Sequence, residues 1–455
     1  MKKVIKALFF LLIANVNAQQ KDIPMFQKGD KIIFIGNSIT QDGRYHNFFQ
    51  IYNATRFPED KIAYINAGIA GDVAEGMINR LEEDILSHKP THAFLMTGMN
   101  DVSRYLYSKE KPSDKILKDR NTALNKYFKN TEQIIKSLID NKIKPILITP
   151  SIYDQTGNQT VENNYGTNDG LETCAKHIKK MASEYNLLVV DFFDEMLAIN
   201  TLEQLKDPSF TIVGPDRIHP QDIGHLVMAF QLIKNTSISK YISSVAINAK
   251  KREVLLAFKA NVVIKELTNN LEFKVKEQSL PFPITQNLDK VNEIIPLDKT
   301  INNQILKIKK LKKGDYKLYI DTVLIDTFSS KELKKGINLA VYKQSPQNVQ
   351  ASKLAKKINF YHKTQDSLRN LAFIKYKKLS NYKGEKSLVS IKQFLLSEND
   401  KSKGKSWYEW DRKNILKYFE ILPKKKEIKE RLQLVRNQIY QENDPQWHNY
   451  KLIKE

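Results

Sequence analysis

The stretch Lys31-Ile32-Ile33-Phe34-Ile35-Gly36-Asn37-Ser38-Ile39-Thr40 decides the fold. Its first five residues read as a short strand with no alternation of apolar and polar positions, which is the pattern of a parallel strand covered on both faces. Gly36 then permits a tight turn. Ser38 falls just past the strand, at the carboxyl edge of the sheet, where open α/β folds place their sites, and a following helix N-terminus favours negative charge there. The same residues also read as an ordinary serine helix cap.

Working outward, four more runs of this kind occur at residues 62–66, 92–97, 145–149 and 187–190. Between and after them lie amphipathic stretches at 45–55, 73–87, 122–140, 171–184 and 222–234. In 73–87, Val73, Met77, Ile78, Leu81, Ile85 and Leu86 recur at helical spacing. Short apolar runs alternating with helices predict βαβ units around a parallel sheet. The connections 101–120 and 150–169 are longer than such units require and carry Tyr105, Tyr107, Tyr153 and Tyr165, as functional loops do. From Ser239 the pattern changes to strands at 252–258, 262–267, 271–275, 315–320 and 322–328, and past Gln344 to Lys-dense helices at 351–376, 407–421 and 427–440. The predicted organisation is a signal peptide over 1–18, an α/β domain over 19–238, a β-rich accessory domain over 239–343 and a helical basic region over 344–455.

Three further turns carry chemistry-bearing residues. Asn66-Ala67-Gly68-Ile69-Ala70-Gly71-Asp72 can aim backbone N–H groups at a developing oxyanion, with Gly71 admitting close approach. Its structural alternative is a helix capped by Asp72. Thr97-Gly98-Met99-Asn100-Asp101 offers a side-chain amide as another donor to the same oxygen, or a plain turn. In Asp216-Arg217-Ile218-His219-Pro220 the three-residue spacing lets a carboxylate hold one imidazole nitrogen while the other accepts a proton from Ser38. A second pair, Asp222 and His225, competes for that role. Asp222 is better read as the cap of the last helix and His225 as a residue within it, whereas catalytic groups favour loops on a rigid scaffold.

Taken in order, these four turns resemble the SGNH hydrolases, also called GDSL-type esterases and lipases, whose blocks contribute Ser, Gly, Asn and His. The resemblance covers roughly residues 29–236 and implies a three-layer α/β/α, flavodoxin-like domain with a five-stranded parallel sheet. It assigns the nucleophile to Ser38, the oxyanion hole to the Ser38 and Gly71 backbones and the Asn100 amide, and the acid–base pair to Asp216 and His219. The first block departs from the usual Gly-Asp-Ser, since Asn37 replaces its Asp. The implied mechanism needs no metal or cofactor: Pro90 interrupts helical spacing between His88 and His92, and the other histidines form no ligand cluster. His46, close after Ser38, is a candidate substrate contact, with Tyr153 and Tyr165.

Lys2, Lys3 and Lys6, the apolar run 7–14 and Val16-Asn17-Ala18 have the layout of a cleavable signal peptide, predicting cleavage after Ala18 and a secreted or periplasmic product. No stretch reaches the ~20 apolar residues of a membrane span. Cys174, the one cysteine, excludes an intrachain disulfide. The net charge of +22 is unevenly spread: residues 19–240 hold 26 Lys and Arg against 28 Asp and Glu, residues 241–455 hold 44 against 23. A basic C-terminal half fits anionic partners such as uronate-rich or sulfated glycans, lipid head groups or nucleic acid, of which an anionic polysaccharide is the one carried forward, or simply reflects solvated Lys-rich faces. Tyr153, Asn158, Gln159, Asn163, Asn164, Tyr165 and Asn168 in the longer insertion suit a sugar better than an acyl chain. Together with likeness to secreted members of bacterial glycan-degrading systems, this predicts a carbohydrate O-acetylesterase with no nucleic-acid partner. The alternatives are a lipase or lysophospholipase, a sulfate-ester hydrolase and a non-catalytic glycan-binding protein.

Overall fold

The computed structural model describes residues 26–235, 240–265, 270–283 and 288–455, so the proposed leader lies outside the described residues. Five parallel strands, β1 (Lys31–Gly36), β2 (Ala63–Gly68), β3 (His92–Met96), β4 (Lys144–Ile148) and β5 (Leu188–Val190), line up in the order β2-β1-β3-β4-β5. Flanking helices complete the flavodoxin-like α/β architecture. Ile32 through Ile35 and Ala93 through Leu95 are wholly buried, which is why these strands read as unbroken apolar runs. Phe34 stacks on Phe94 across the β1–β3 pair at 4.7 Å. The chain leaves β1 toward β2 on one side and reaches β3 on the other. This order opens a crevice beyond the carboxyl ends of β1 and β3.

The helix predicted over 73–87 is broken. Ala74–Asn79 is α-helical, Leu81–Ile85 forms a π turn and Leu86–His88 a 3₁₀ turn. Arg80, at the break, turns its guanidinium inward to Asp72 at 2.9 Å and Asp84 at 2.6 Å. A buried cation needs those partners, and the regular hydrogen-bond ladder yields to them.

The region after 240 builds two sheets. One orders β13 (Ile337–Asn338), β10 (Asn303–Lys309), β6 (Tyr241–Asn248) and β7 (Glu253–Phe258), with β6 and β10 parallel. The other orders β12 (Val323–Ser329), β11 (Asp315–Ile320), β14 (His448–Lys454), β9 (Leu271–Glu277) and β8 (Ala260–Ile264). Two expectations are corrected here. The β-rich part does not end at 343, and the C-terminal region is not helical throughout, because β14 alternates Tyr450 and Leu452 into the core between β9 and β11. Beneath the sheets, the buried Glu277 carboxylate accepts from Gln304 at 2.8 Å and from the Tyr450 hydroxyl at 3.0 Å.

The helix Pro346–Phe373 starts from a serine cap, Ser345, with Pro346 in its first turn, and lies against β2, the outer strand of the parallel sheet. Gln365 accepts from Asn66 N–H at 3.2 Å and donates to Tyr64 C=O at 2.6 Å, while Arg369 donates to Gly68 C=O at 3.0 Å. Side chains one turn apart thus satisfy alternate peptide groups of an edge strand that would otherwise need water or another strand. Leu388–Asp400 and Tyr408–Ile421 pack as a hairpin, and Lys425–Glu442 returns against Pro346–Phe373. Among the described residues, no helix is long and apolar enough to cross a membrane.

Candidate active site

Ser38 opens the short helix Ser38–Asp42, directly beyond β1. Asn37 caps that helix, its side-chain oxygen accepting from Ile39 N–H at 3.0 Å, so the departure from Gly-Asp-Ser keeps a local hydrogen bond. Ser38 Oγ lies 2.7 Å from His219 Nε2, and His219 Nδ1 lies 2.6 Å from Asp216 Oδ2. The other Asp216 oxygen accepts from the N–H groups of Ile218 and His219, each at 3.0 Å. Burial works against the Asp216 charge, but the bonds from the His219 ring and from these two N–H groups outweigh it and hold the carboxyl at about 2. An ionised acceptor on Nδ1 puts the proton there and leaves Nε2 to accept from the serine hydroxyl.

The loop bearing the pair is itself held. Val213 bridges Pro220, and Gly214 N–H donates to His219 C=O at 2.7 Å. Arg217, in a left-handed backbone conformation, buries its guanidinium among the carbonyls of Asp154, Gly157, Gln159 and Val161 at 2.7 to 3.3 Å. One arginine therefore ties the 150–166 insertion to the Asp216–His219 turn.

Beyond β2, Gly71 adopts a φ of +68°, and a Cβ there would meet nothing within 4 Å. Its N–H and that of Ser38 donate to no group among the described residues. Beyond β3, the Asn100 amide is oriented from both ends: Nδ2 donates to Asp72 C=O at 2.8 Å, and Oδ1 accepts from Arg104 at 3.0 Å. One amide N–H remains. Next to Asn100, Ser103, Arg104, Tyr105, Glu162 and Asn164 line a polar cavity of about 480 Å³.

Asp101 is buried beneath this turn, accepting from Ala74 N–H at 2.8 Å and Gly98 N–H at 3.0 Å. Burial raises its carboxyl to about 6 against the pull of those bonds.

Ser38, His219 and Asp216 are thus brought together, with Asn100 and Gly71 on the adjacent turns. Three expectations change. His46 is buried, stacks on Phe34 at 4.6 Å and bonds Thr40 C=O, so it packs the domain and does not face a substrate. Tyr153 is also buried, its hydroxyl accepting from Asn164 N–H at 2.9 Å. Tyr165 is exposed but does not line the cavity, where Tyr105, 80% exposed, stands instead. His225 lies inside the helix Asp222–Lys234, accepting from Tyr45 N–H at 3.2 Å and facing Asp42 at 3.3 Å. Arg104 and Arg217 carry no motif signal: Arg104 acts through Met99 and Asn100 in its own turn, and Arg217 through carbonyls of a loop about 60 residues earlier. No cluster of three or more metal-ligating side chains occurs among the described residues.

Residues 34–227 match the model of the GDSL-like lipase/acylhydrolase family. An acetylxylan esterase of Geobacillus stearothermophilus is 28% identical over 219 residues, spanning 44% of this chain and 91% of that protein. Among solved structures, BT4096, described as a gut microbial diltiazem-metabolizing enzyme, matches at 28% identity with a TM-score of 0.83, covering 96% of this chain and 100% of that one. The likeness therefore extends past the α/β domain to the added sheets and helices. With a parallel sheet in the order β2-β1-β3-β4-β5 and the four expected turns at its carboxyl edge, residues 34–227 form a GDSL-like lipase/acylhydrolase domain of the SGNH family, and the protein is an ester-bond hydrolase.

Proposed function

We propose that the protein removes O-acyl groups, foremost O-acetyl, from carbohydrate, with Ser38 as nucleophile, His219 as general base and Asp216 as its orienting partner. The carrying observation is the unbroken contact from Ser38 Oγ through the His219 ring to Asp216, at 2.7 and 2.6 Å. In the first step His219 Nε2 takes the hydroxyl proton as Oγ bonds to the ester carbonyl carbon, whose oxygen becomes an oxyanion. The Ser38 and Gly71 N–H groups and the remaining Asn100 amide hydrogen stabilise that charge. Collapse expels the alkoxide, which receives the proton from His219 and leaves acetyl-Ser38. Water, deprotonated by the same nitrogen, attacks the acyl-enzyme; the proton returns to Ser38 and acetate departs.

Two features support a sugar as the alcohol. The cavity beside Asn100 is lined by polar side chains with Tyr105 at its rim, a stacking and hydrogen-bonding surface unsuited to a long acyl chain. A relative over the same domain is an acetylxylan esterase. The test is acetate release from acetylated xylo-oligosaccharides alongside nitrophenyl esters of increasing chain length. Release of acetate, its loss in Ser38→Ala and a raised KM for the oligosaccharide in Tyr105→Ala are expected. A preference for long acyl chains would replace this reading with a lipase. Export is part of the proposal and rests on the leader-like residues 1–18; N-terminal sequencing of the exported protein should begin at Gln19.

A further inference from the structure

We propose that Arg369 and Lys377, from the C-terminal helical region, are positioning residues for the oxyanion hole, so that this region completes the esterase site. The inference rests on Gly71 and Asn100 being the donors named above.

The Pro346–Phe373 helix presents His362, Gln365 and Arg369 at intervals of three and four residues, hence along one stripe. All three reach the α/β domain at the ends that matter. His362 Nε2 donates to Asp42 C=O at 2.7 Å, at the end of the Ser38 helix. Gln365 grips the middle of β2. Arg369 bonds Gly68 C=O, the last residue of β2, and clamps both oxygens of Asp84 at 2.8 Å. Asp84 in turn meets Arg80 at 2.6 Å, and Arg80 meets Asp72 at 2.9 Å. These four side chains are buried, so the chain of alternating charges is coupled far more strongly than a surface pair.

The chain ends at the donors. Asp72 follows Gly71, and its carbonyl is the group that orients the Asn100 amide. Lys377, in the π turn Ile374–Lys378 that ends the helix, donates to Gly71 C=O at 3.0 Å. Ile69, wholly buried, sits in an apolar cluster with Leu371, Phe373, Ile374 and Ile415. The turn between β2 and Gly71 is therefore held by apolar contact, by one lysine bond to its backbone and by an ion chain anchored on Arg369. A catalytic domain lacking this helix would need other means to fix the same turn. Displacement of about 1 Å at such a donor can cost ~10²-fold in rate.

The test uses the full chain carrying Arg369→Met, Arg369→Lys or Lys377→Met, with Ser38→Ala as reference. Arg369→Met should lower kcat on 4-nitrophenyl acetate about ten- to a hundredfold, and Lys377→Met about three- to tenfold, with KM within about a factor of two. Inhibition by phenylboronic acid, whose tetrahedral adduct uses the same donors, should weaken in proportion. Arg369→Lys keeps a cation beside Asp84 and should fall between wild type and Arg369→Met. If Arg369→Met does not fold, Lys377→Met decides, because its side chain is only partly buried. A folded Lys377→Met with unchanged kcat and boronate affinity would overturn the inference, as would an effect confined to KM. Esterase activity surviving in Ser38→Ala would instead overturn the catalytic reading itself.

Discussion

Replacing Asn100 tests whether the oxyanion hole is built from the groups described. Its side chain has three roles: one N–H donates to Asp72 C=O at 2.8 Å, its oxygen accepts from Arg104 at 3.0 Å, and the remaining N–H is the proposed oxyanion donor. Asn100→Ala removes all three. Losing a single preorganised donor costs about 10²–10³ in kcat, roughly 2.7–4 kcal/mol of transition-state stabilisation. The two structural bonds add about 1–2 kcal/mol of lost folding stability, since each partly buried hydrogen bond contributes ~1 kcal/mol net. Asn100→Asp separates these effects. A carboxylate of the same shape keeps the Arg104 contact, strengthened by charge, but sets negative charge where negative charge must develop. The same change sets a carboxylate oxygen against Asp72 C=O, to which Nδ2 donates at 2.8 Å, so it should gain no folding stability over Asn100→Ala and yet be slower. Steady-state kinetics on 4-nitrophenyl acetate and urea unfolding read the two quantities separately, with kcat and kcat/KM falling together because the lost interaction belongs to the transition state. An Asn100→Asp enzyme as fast as Asn100→Ala, or an alanine variant within fivefold of wild type, would refute the assignment.

Asp216→Asn keeps the shape of the turn but lets His219 take the wrong tautomer, and kcat should fall about 10⁴-fold; because the Asp216 carboxyl sits at about 2, no loss of activity between pH 4 and 6 should trace to its protonation, and the mutant's pH profile checks this. Arg217→Met strips the charged donor from four carbonyls of the insertion and should cost about 3 kcal/mol in urea unfolding, with faster proteolytic cleavage within 154–161; equal stability would count against the clamp. Asp101 binds its proton more tightly in the folded than in the unfolded chain, so its contribution to stability is fully present below about 3.8 and is lost as pH rises through about 6. That contribution is about 3 kcal/mol, and the slope of unfolding free energy against pH across this window should flatten in Asp101→Asn.

The parallel sheet was legible because buried strands announce themselves by unbroken apolarity, and all five predicted runs fall on β1 to β5 within a residue or two. The four turns were legible as an ordered set. What local pattern could not carry was burial and long-range contact. His46 and Tyr153 are polar side chains near the right loops, and nothing in their spacing shows that both point inward. The helix Phe193–Gln204 is not legible in this way, nor are β6 and β10, whose Ser243, Ser244, Asn303 and Gln304 blur the apolar alternation. The Pro346–Phe373 helix was visible as a helix, but its function is written in partners about 300 residues away, such as Gly68 for Arg369. Periodicity shows that a stripe exists, not what it grips.

The place of β14 in the middle of its sheet sets an order of assembly. Tyr450 and Glu277 touch across 173 residues of sequence, and β9 and β11 gain their shared neighbour only when synthesis has passed residue 454. Until then two strands of the nascent chain wait with open flanks, the condition under which chains pair wrongly with one another. Closing so long a loop also makes this sheet a late and slow step. Yield of folded protein should therefore depend on growth temperature and chaperone supply more than the esterase domain alone would suggest, and substitutions in the final strand should surface first as aggregation and only afterwards as lost turnover.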